Sequence, residues 1–403
     1  MAAERGNRLH RWLDRYAGIP LAALSAGARR LERPRSPAAV SGARRVGVIC
    51  LGAIGDLLLL SGLLAGIRRE LPDAELELVL SSGNAGAAPL IPHADRVTAF
   101  GVRHIPAMLR HVRERRYDVL IDSTQWARLP AIVSNLSGAG LTVGFATAGQ
   151  GRALGYDRRV THSPALHETE NFLALGREIW PGLSGAPQLR LPEAPSALAG
   201  EMADGRRHAY LHMWPAGYKG WLKEWPAEHW AALARELTGR GFSVWLTGSD
   251  ADAPRNVAFL EAHMPGEAHV HSLAGRVSLP GLAWLLGRAD AVVSVNTGIM
   301  HLAARAGAPT VGLHGATNPR RWGPVGPRCV SLLPRAGHFA YLDLGFEYPP
   351  TLFPRCSTSP WRMCSGRSPR WTRSEKRKTA SHPGMRRRFG PQHWRFATLS
   401  RGP

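Results

Sequence analysis

The feature that most constrains the fold is a short apolar run that ends in a glycine-rich turn and passes directly into an apolar helix. Residues 46–51 (VGVICL) predict a buried strand, residues 52–56 (GAIGD) a turn and residues 57–71 (LLLLSGLLAGIRREL) a helix. Further strands are predicted at residues 75–82 (ELELVLSS) and 117–123 (YDVLIDS). Short buried strands that alternate with helices are typical of a parallel, doubly wound sheet.

The same pattern starts again near residue 205. Strands are predicted at 208–214, 242–249, 290–295 and 309–315, and helices at 226–241, 279–289 and 298–307. We therefore expect an α/β protein with two doubly wound, Rossmann-like domains, over residues 46–195 and 205–348, that face a central cleft. The Pro- and Ala-rich stretch 187–200 marks the boundary. Ligands of such sheets bind outside the carboxyl ends of the strands.

The net charge of +21 is concentrated at the two ends of the chain. Residues 1–45 hold ten Lys/Arg and three Asp/Glu, and residues 351–403 hold thirteen Lys/Arg and one Asp/Glu. Residues 46–350 therefore carry a net charge of only +2. A nucleic-acid-binding fold carries its basic surface on the folded domain. The distribution therefore argues against a nucleic-acid partner.

The basic N-terminal segment, residues 1–45, has an amphipathic pattern. Leu9, Trp12, Leu13 and Tyr16 recur at helical spacing among arginines. Such a segment can lie on an anionic membrane surface, or it can dock on the protein's own flank. The sequence leaves both alternatives open.

The C-terminal tail, residues 351–403, differs in kind from the rest of the chain. It contains no Val, Ile or Asp and shows no apolar periodicity, so we expect no element there that buries a face. The change at Pro349-Pro350 is abrupt. We interpret the tail as a shifted reading frame over the natural C-terminus in preference to a functional basic arm.

The cysteine pattern and the hydropathy predict a cytosolic chain. Its four cysteines are too scattered for a disulfide framework or a zinc site, which favours reduced thiols; they are Cys50, Cys329, Cys356 and Cys364. No stretch of the sequence approaches the ~18–20 apolar residues that a membrane span requires.

The first candidate site is the turn with Gly52, Gly55 and Asp56. Its glycines let the backbone approach a ligand, and the first N–H groups of the helix point outward. Asp56 would repel a phosphate at that place. It is either a favoured helix-start residue or a carboxylate that takes a proton from an attacking hydroxyl.

The second candidate site follows the strand at 290–295. Asn296, Thr297 and Gly298 offer N–H groups and a hydroxyl suited to a diphosphate at a helix N-terminus. His301, on the first turn of that helix, is either a structural histidine bonded to the backbone or a ligand contact. Lys223 follows another strand and can reach a phosphate, or it is a solvated surface lysine.

Five motifs, in order, resemble glycosyltransferase family 9, the heptosyltransferases of lipopolysaccharide assembly. The motifs are GAIGD with its helix, H-x-x-x-N at 167–171, K-x-W-P at 223–226, SVNTGIMHLAA at 294–304 and GAPTVGLHGATNPRRWGP at 307–324. The resemblance covers about residues 44–348. It implies a two-domain GT-B fold, an ADP-heptose donor, an inverting transfer without metal or cofactor, and a membrane-bound glycolipid acceptor bound mainly by the first domain.

The resemblance also implies roles for individual residues. Asp56 matches the family's catalytic base, Lys223 the lysine on the donor's phosphates, and Thr297-Gly298 the turn that contacts the diphosphate. Asp250 falls near the acidic residue that contacts the nucleoside. Asn296 stands where many members have Asp; it keeps the hydrogen-bonding shape, removes the charge and leaves the donor's identity open.

The leading hypothesis is an inverting glycosyltransferase that acts as a monomer in the cytoplasm, peripheral to the inner membrane. In it Asp56 deprotonates the acceptor, while Lys223 and the Thr297-Gly298 amides stabilise the departing diphosphate. A nucleotide-dependent oxidoreductase is disfavoured, because neither turn carries the dinucleotide fingerprint. The remaining alternative is a non-catalytic membrane- or RNA-binding protein that acts through its basic ends.

Overall fold

Two sheets, each with one reversal in its strand order, form the framework of the protein. The computed structural model describes residues 8–32, 40, 42–193, 204–217, 220–334, 339–342 and 361–363. The strands of the first sheet are β1 (Arg45–Cys50), β2 (Glu75–Ser81), β3 (Arg96–Phe100), β4 (Val119–Asp122), β5 (Leu141–Phe145) and β6 (Arg158–Val160). Those of the second are β7 (Arg207–His212), β8 (Phe242–Thr247), β9 (Val270–Ser272), β10 (Ala291–Val295), β11 (Thr310–Leu313), β12 (Cys329–Pro334) and β13 (Trp361–Met363).

Helices connect the strands and cover the sheets. They are α1 (Arg8–Tyr16), α2 (Gly18–Leu31), α3 (Ile54–Glu70), α4 (Ile105–Arg115), α5 (Arg128–Asn135), α6 (Glu168–Arg177), α7 (Ala227–Gly239), α8 (Ala253–His263), α9 (Leu279–Leu286), α10 (Gly298–Ala306) and α11 (Pro319–Trp322). Helix α3 is buried from Gly55 to Ile67, which explains why its sequence is apolar on every side.

The strand order places each of the two predicted turns beside the reversal of its sheet. The first sheet has the order β3-β2-β1-β4-β5-β6 and is parallel throughout. The second has the order β13-β12-β11-β10-β7-β8-β9, parallel except for β13. The order reverses between β1 and β4 and between β7 and β10. The carboxyl ends of these strands open the crevices in which such sheets bind ligands.

The predicted α/β class and the strands named from the sequence are confirmed, with ends that differ by at most two residues. Edge strand β3 was missed because its side chains are exposed or half-buried and give no buried run. The expectation of no element in the tail is wrong at one place, since Trp361–Met363 pairs antiparallel with β12 through backbone hydrogen bonds. The rest of the tail lies outside the described residues, as do Cys356, Cys364 and residues 194–203 of the boundary region.

The N-terminal helices α1 and α2 dock on the first domain. Arg29 donates to Asp157 at 2.6 Å, with the Arg29 side chain buried. Asp14 accepts the backbone N–H of Arg128 at 2.8 Å and pairs with the Arg128 side chain at 3.0 Å. The docking predicted as one alternative is therefore present, and Asp14 satisfies an otherwise unpaired N–H at the start of α5.

The opposite face of these two helices is apolar and exposed. Trp12, Tyr16 and Leu24 have exposed fractions of 57%, 59% and 71%. Leu13, Ile19, Leu21 and Leu31 are exposed as well. None of the helices in the described parts of the chain is both long and apolar enough to cross a membrane.

Candidate active site

The two predicted turns meet face to face at a pair of glycines. A Cβ placed on Gly298 would lie 3.0 Å from the Ile54 side chain and 3.1 Å from the Gly55 nitrogen. A Cβ on Gly55 would lie 3.1 Å from Cδ2 of His301. The absence of side chains therefore lets the first turn of α3 rest against the first turn of α10. Candidate residues of both domains come together here.

Asp56 lies in the first turn of α3 with an exposed fraction of only 9%. Its Oδ2 accepts the backbone N–H of Ala53 at 2.5 Å, so Asp56 does stabilise the helix start. Its Oδ1 lies 3.4 Å from the amide nitrogen of Gln125. Asp56 therefore has the helix-start role that was one of the two alternatives from the sequence. In this position its carboxylate lies at the junction of the two domains.

Buried side chains fix the backbone that carries Asp56. The side-chain amide of Asn84, which has no exposed surface, donates to the carbonyl oxygens of Cys50 at 2.9 Å and Gly52 at 3.2 Å. Both carbonyls belong to the end of β1 and the turn that follows it. Asn84 therefore holds the turn in the shape that brings Asp56 to the junction.

On the second domain, the turn after β10 presents the N-terminus of α10. The side-chain amide of Asn296 donates to the carbonyl of Trp322 at 3.0 Å, which links the turn to α11. Thr297 is the N-cap residue, and its hydroxyl makes no capping bond. The first N–H groups of α10 and the half-buried Thr297 hydroxyl can thus serve a ligand.

Two buried histidines, His301 and His314, lie around this turn together with the half-buried His167 and Lys223. Burial, with smaller effects of neighbouring charges that include Lys223, lowers the pKa of His301 to about 3 and that of His314 to about 3. Burial also lowers the pKa of His167. All three imidazoles are neutral at neutral pH, so Lys223 supplies the positive charge among them.

The structure gives Nδ1 of His301 no backbone bond of the kind considered in one of the two alternatives from the sequence. This nitrogen is buried and has no hydrogen-bond partner within the described chain. The ring lies against Gly55 at the contact between the turns. A buried nitrogen of this kind is a candidate for a ligand contact.

Asp250 and Lys223 lie further from the glycine contact. Lys223 ends a 3₁₀ turn (Gly220–Lys223) that follows β7, and its side chain is half-buried, in contrast to a solvated surface lysine. Asp250 is exposed at the carboxyl end of β8, one strand further from β10. Its neighbour Asp252 is occupied, since it accepts the Ser249 N–H at 2.9 Å.

A buried ion pair that sequence reasoning missed joins the two domains beside the site. The guanidinium of Arg321, at the end of α11, donates to Glu168 Oε2 at 3.0 Å through both Nε and Nη2. Both side chains have no exposed surface. His162 Nε2 lies 2.9 Å from Glu168 Oε1 and 2.8 Å from Arg321 Nη2. Because the partners lie on different domains, this cluster holds the domains against each other.

The H-x-x-x-N motif contributes to the same junction. Its His167 caps α6 by accepting the Thr169 N–H at 3.2 Å and donates from Nε2 to the carbonyl of Gly323 at 3.0 Å. Its Asn171 bonds both backbone groups of Ser163 at 3.0 Å. Glu168 lies inside this motif, and Arg321 lies inside the motif at residues 307–324. Nothing in either motif indicates that these two side chains form a pair.

The architecture and the site define a class of protein, the two-domain GT-B glycosyltransferases. The solved structure of the ADP-heptose lipopolysaccharide heptosyltransferase II of Escherichia coli has this fold; it aligns with a TM-score of 0.61 at 23% identity and covers 72% of this chain and 89% of that one. The chain also matches the model of glycosyltransferase family 9 (heptosyltransferase) over residues 105–340, more than half its length.

The chain therefore belongs to glycosyltransferase family 9 and is an enzyme of the glycosyltransferase class. It is similar to lipopolysaccharide heptosyltransferase 2 of Salmonella typhimurium, at 25% identity over 66% of this chain and 81% of the relative. It is also similar to lipopolysaccharide heptosyltransferase 1 of Escherichia coli O18:K1:H7, at 27% identity over 70% and 89%. The family predicted from the motifs is confirmed.

The buried pair yields a prediction on stability. Glu168→Gln should lower the free energy of unfolding by about 3–5 kcal/mol at pH 7, because the buried Arg321 guanidinium is left without a counter-charge. Burial would raise the pKa of Glu168, but bonds from His162 and Gln125 and the charge of Arg321 hold it below its ordinary value of 4.5. The ionised Glu168 therefore contributes fully to the free energy of unfolding above pH 4.5, the ordinary pKa of a glutamate. This contribution is lost as the pH falls from there through the lower pKa of Glu168 in the folded protein.

The matched control is Glu170→Gln, on the same helix. Glu170 pairs at 2.9 Å with Arg177, and both side chains are partly exposed, so the loss of this pair should change stability by at most about 1 kcal/mol. Urea unfolding of the three proteins at pH 7 and below pH 4 measures both effects. Equal losses in the two variants would contradict the assignment of the Glu168–Arg321 pair as the link between domains.

Proposed function

We propose that the protein transfers heptose from ADP-heptose to a lipopolysaccharide-core acceptor, with inversion and without a metal ion. The observation that carries the proposal is the contact of the two turns, which puts a nearly buried carboxylate beside a free helix N-terminus. The donor and acceptor classes follow from the relatives, which are named ADP-heptose and lipopolysaccharide heptosyltransferases.

In the proposed reaction, Asp56 is the general base. An acceptor hydroxyl bound on the side of the first sheet attacks the anomeric carbon as its proton passes to the Asp56 carboxylate. The bond between that carbon and the diphosphate oxygen breaks, and the electron pair leaves with the diphosphate. A single displacement of this kind inverts the anomeric centre.

The second domain stabilises the departing charge in this proposal. The N–H groups at Thr297 and Gly298 and the dipole of α10 favour an anion at that turn. Lys223 adds a full positive charge, and the unpartnered Nδ1 of His301 offers a further contact. We propose that Asn296 shapes the diphosphate site and that Asp250 contacts the nucleoside from the end of β8. Gly55 closes the site from the other domain.

We further propose a cytoplasmic, monomeric enzyme that works at the inner membrane surface through α1 and α2. The face of these helices that is turned away from the protein carries Trp12, Tyr16 and Leu24, residue types that suit the bilayer interface. Asp14 of α1 is already paired with Arg128, and Glu32, which directly follows α2, is paired with Arg113. Arginines such as Arg15 and Arg30 therefore dominate the field that an anionic lipid would meet.

The role of Asp56 is tested by Asp56→Asn. An amide still accepts the Ala53 N–H, so the helix start survives, but it cannot take the acceptor's proton. We expect the transfer rate to fall by about 10²–10⁴-fold while ADP-heptose still binds, because its site lies on the other domain.

The control is Asp118→Asn, which changes a carboxylate that also accepts backbone N–H groups, those of Arg44 and Arg45 at 2.8 and 2.9 Å. Asp118 directly precedes β4 and so lies at the amino ends of the strands of the first sheet, whereas Asp56 lies beyond their carboxyl ends. Turnover, donor affinity and Tm are measured on both variants. Near-normal turnover of Asp56→Asn would remove Asp56 from the mechanism.

The place of Asn296 in the donor site is tested by Asn296→Asp. The new carboxylate would face both the Trp322 carbonyl and the donor's diphosphate. We expect ADP-heptose to bind about tenfold more weakly, equivalent to about 1.4 kcal/mol. Isothermal titration calorimetry gives the affinity.

Asn296→Leu separates the two effects of that change. Asn296→Leu also loses the bond to the Trp322 carbonyl but adds no charge. It should therefore lower Tm about as much as Asn296→Asp does, and weaken donor binding less than Asn296→Asp does. Unchanged donor affinity in Asn296→Asp would place residue 296 outside the donor site.

The membrane contact is tested with anionic vesicles. Binding of the full-length protein should weaken as salt rises, because exposed basic charges are screened. Leu24→Glu should weaken binding further at every salt concentration, since it puts a carboxylate on the exposed face of α2.

The matched control is Val257→Glu, which changes an apolar residue of α8 on the second domain with an exposed fraction of 49%. Co-sedimentation with vesicles measures all three proteins. Equal binding by Leu24→Glu and Val257→Glu would refute a contact through α1 and α2.

A further inference from the structure

A cavity of about 240 Å³ lies at the end of α2, where this helix packs against the chain that leads into β6. Its walls carry three guanidinium groups, two carboxylates and a leucine side chain, which belong to Arg29, Arg30, Arg159, Glu32, Asp157 and Leu154. The volume lies below the about 300–1,000 Å³ of common small-molecule pockets. The cavity therefore suits a compact group and is too small for a nucleotide sugar.

The length of α2 separates this cavity from the candidate active site. At the start of the helix, a Cβ on Gly18 would lie 3.0 Å from Cδ of Arg128, which is on the side of the carboxyl end of β4. At its end, Arg29 lies 2.6 Å from Asp157, which directly precedes β6 and so lies at the amino ends of the strands. Because a helix rises about 1.5 Å per residue, the 14 residues of α2 put about 20 Å between these two positions. The cavity therefore lies outside the site around the two turns.

The two carboxylates of the cavity are each paired with an arginine. Oδ2 of Asp157 accepts from the Arg29 guanidinium at 2.6 Å, and from the backbone N–H and the hydroxyl of Thr142 at 2.7 and 2.9 Å. Glu32 pairs with Arg113 at 3.4 Å. The net charge of the cavity therefore comes from its two remaining guanidinium groups.

These two groups belong to Arg30 and Arg159. Arg30 is exposed, and among the residues that the structure describes no carboxylate pairs with it. Arg159 donates from Nη2 to the carbonyl of Leu154 at 3.2 Å, a neutral acceptor that leaves the positive charge in place. A guanidinium presents paired N–H groups that match two oxygens of a phosphate. The cavity is thus complementary to a phosphate in both charge and hydrogen bonding.

Exposed leucines connect the cavity with the apolar face of α1 and α2. Leu154 on its wall is 41% exposed, and Leu31, which follows Arg30, is 87% exposed. Leu24 lies two helical turns before Leu31, so both point to the same side of α2. An apolar border of this kind stabilises the acyl chains of a lipid and contributes nothing to the binding of a free phosphate ion.

We propose that this cavity binds the phosphate group of an anionic phospholipid, held by Arg30 and Arg159, while the neighbouring leucines contact the acyl-chain region. The proposal rests on the proposed membrane contact of α1 and α2, and it adds a defined headgroup site to that contact. A headgroup at the end of α2 and an apolar contact along the helix are two separate points of attachment. Together they fix the orientation of the first domain on the membrane surface.

The first experiment measures co-sedimentation with vesicles of phosphatidylglycerol in phosphatidylcholine at one salt concentration. Arg159→Gln should weaken binding about tenfold, the loss expected for a charge-assisted hydrogen bond to a phosphate. The matched control is Arg158→Gln, which removes the same charge from the neighbouring position of β6. Successive side chains of a strand point to opposite faces, and Arg158 is not part of the cavity wall.

A second pair of variants makes the same comparison on the N-terminal helices. Arg30→Gln should weaken vesicle binding more than Arg15→Gln, which changes an exposed arginine of α1 away from the cavity. A merely diffuse attraction between basic residues and anionic lipid would be reduced about equally within each pair. Equal losses within both pairs, at unchanged Tm, would overturn the proposal.

The second experiment tests the site without a bilayer. The Nε–H signals of Arg30 and Arg159, assigned as those that the two Gln variants remove, are followed by ¹⁵N NMR of the full-length protein. We expect dihexanoyl-phosphatidylglycerol, below the concentration at which it forms micelles, to shift both signals in a saturable manner. Inorganic phosphate should bind several-fold more weakly, because it lacks the acyl chains that the leucines contact.

The NMR titration separates the two proposals. Unshifted signals, or equal affinity for inorganic phosphate, would overturn the phospholipid site. Failure of the proposed membrane contact is seen elsewhere, as equal vesicle binding by Leu24→Glu and Val257→Glu, because the titration with the short-chain lipid needs no membrane.

Discussion

The contact between the N-termini of α3 and α10 is the constraint on which the rest of the site depends. Each helix start carries a partial positive charge, so two of them face to face repel each other unless negative charge lies close by. Asp56 supplies one such charge in the first turn of α3. The diphosphate proposed for the α10 turn would supply the other. Gly55 and Gly298 are small enough to permit this approach, and the Glu168–Arg321 pair holds it in place.

The three histidines at the α10 turn add no charge to the electrostatic field there. Three histidines stand there, but burial keeps His301, His314 and His167 neutral through the physiological range. The positive part of the field therefore comes from Lys223 and the helix dipole, because the histidines carry no charge near neutrality. Glu168 and Arg321 cancel each other and contribute mainly rigidity.

Local patterns in the sequence account for the framework and for the residues at the turns. Buried apolar runs revealed β1, β7 and β10, and the strand-turn-helix order singled out Asp56 and Thr297, because backbone geometry alone brings such turns to the ends of strands. Glu168 and Arg321 could not be paired in this way, since they are 153 residues apart and meet only through the packing of two domains.

The anchoring of α1 and α2 determines how the two halves of the enzyme can move. Asp14, Ser25, Arg29 and Glu32 attach these helices to Arg128, Asn135, Asp157 and Arg113, all on the first domain. The helices therefore travel with the half that carries Asp56 as one rigid body. On a surface that holds α1 and α2, this half is stationary, and any opening of the cleft is a displacement of the half that carries Lys223 toward or away from solvent. Loading of the donor and release of the spent nucleotide would then proceed without lifting the acceptor half from that surface.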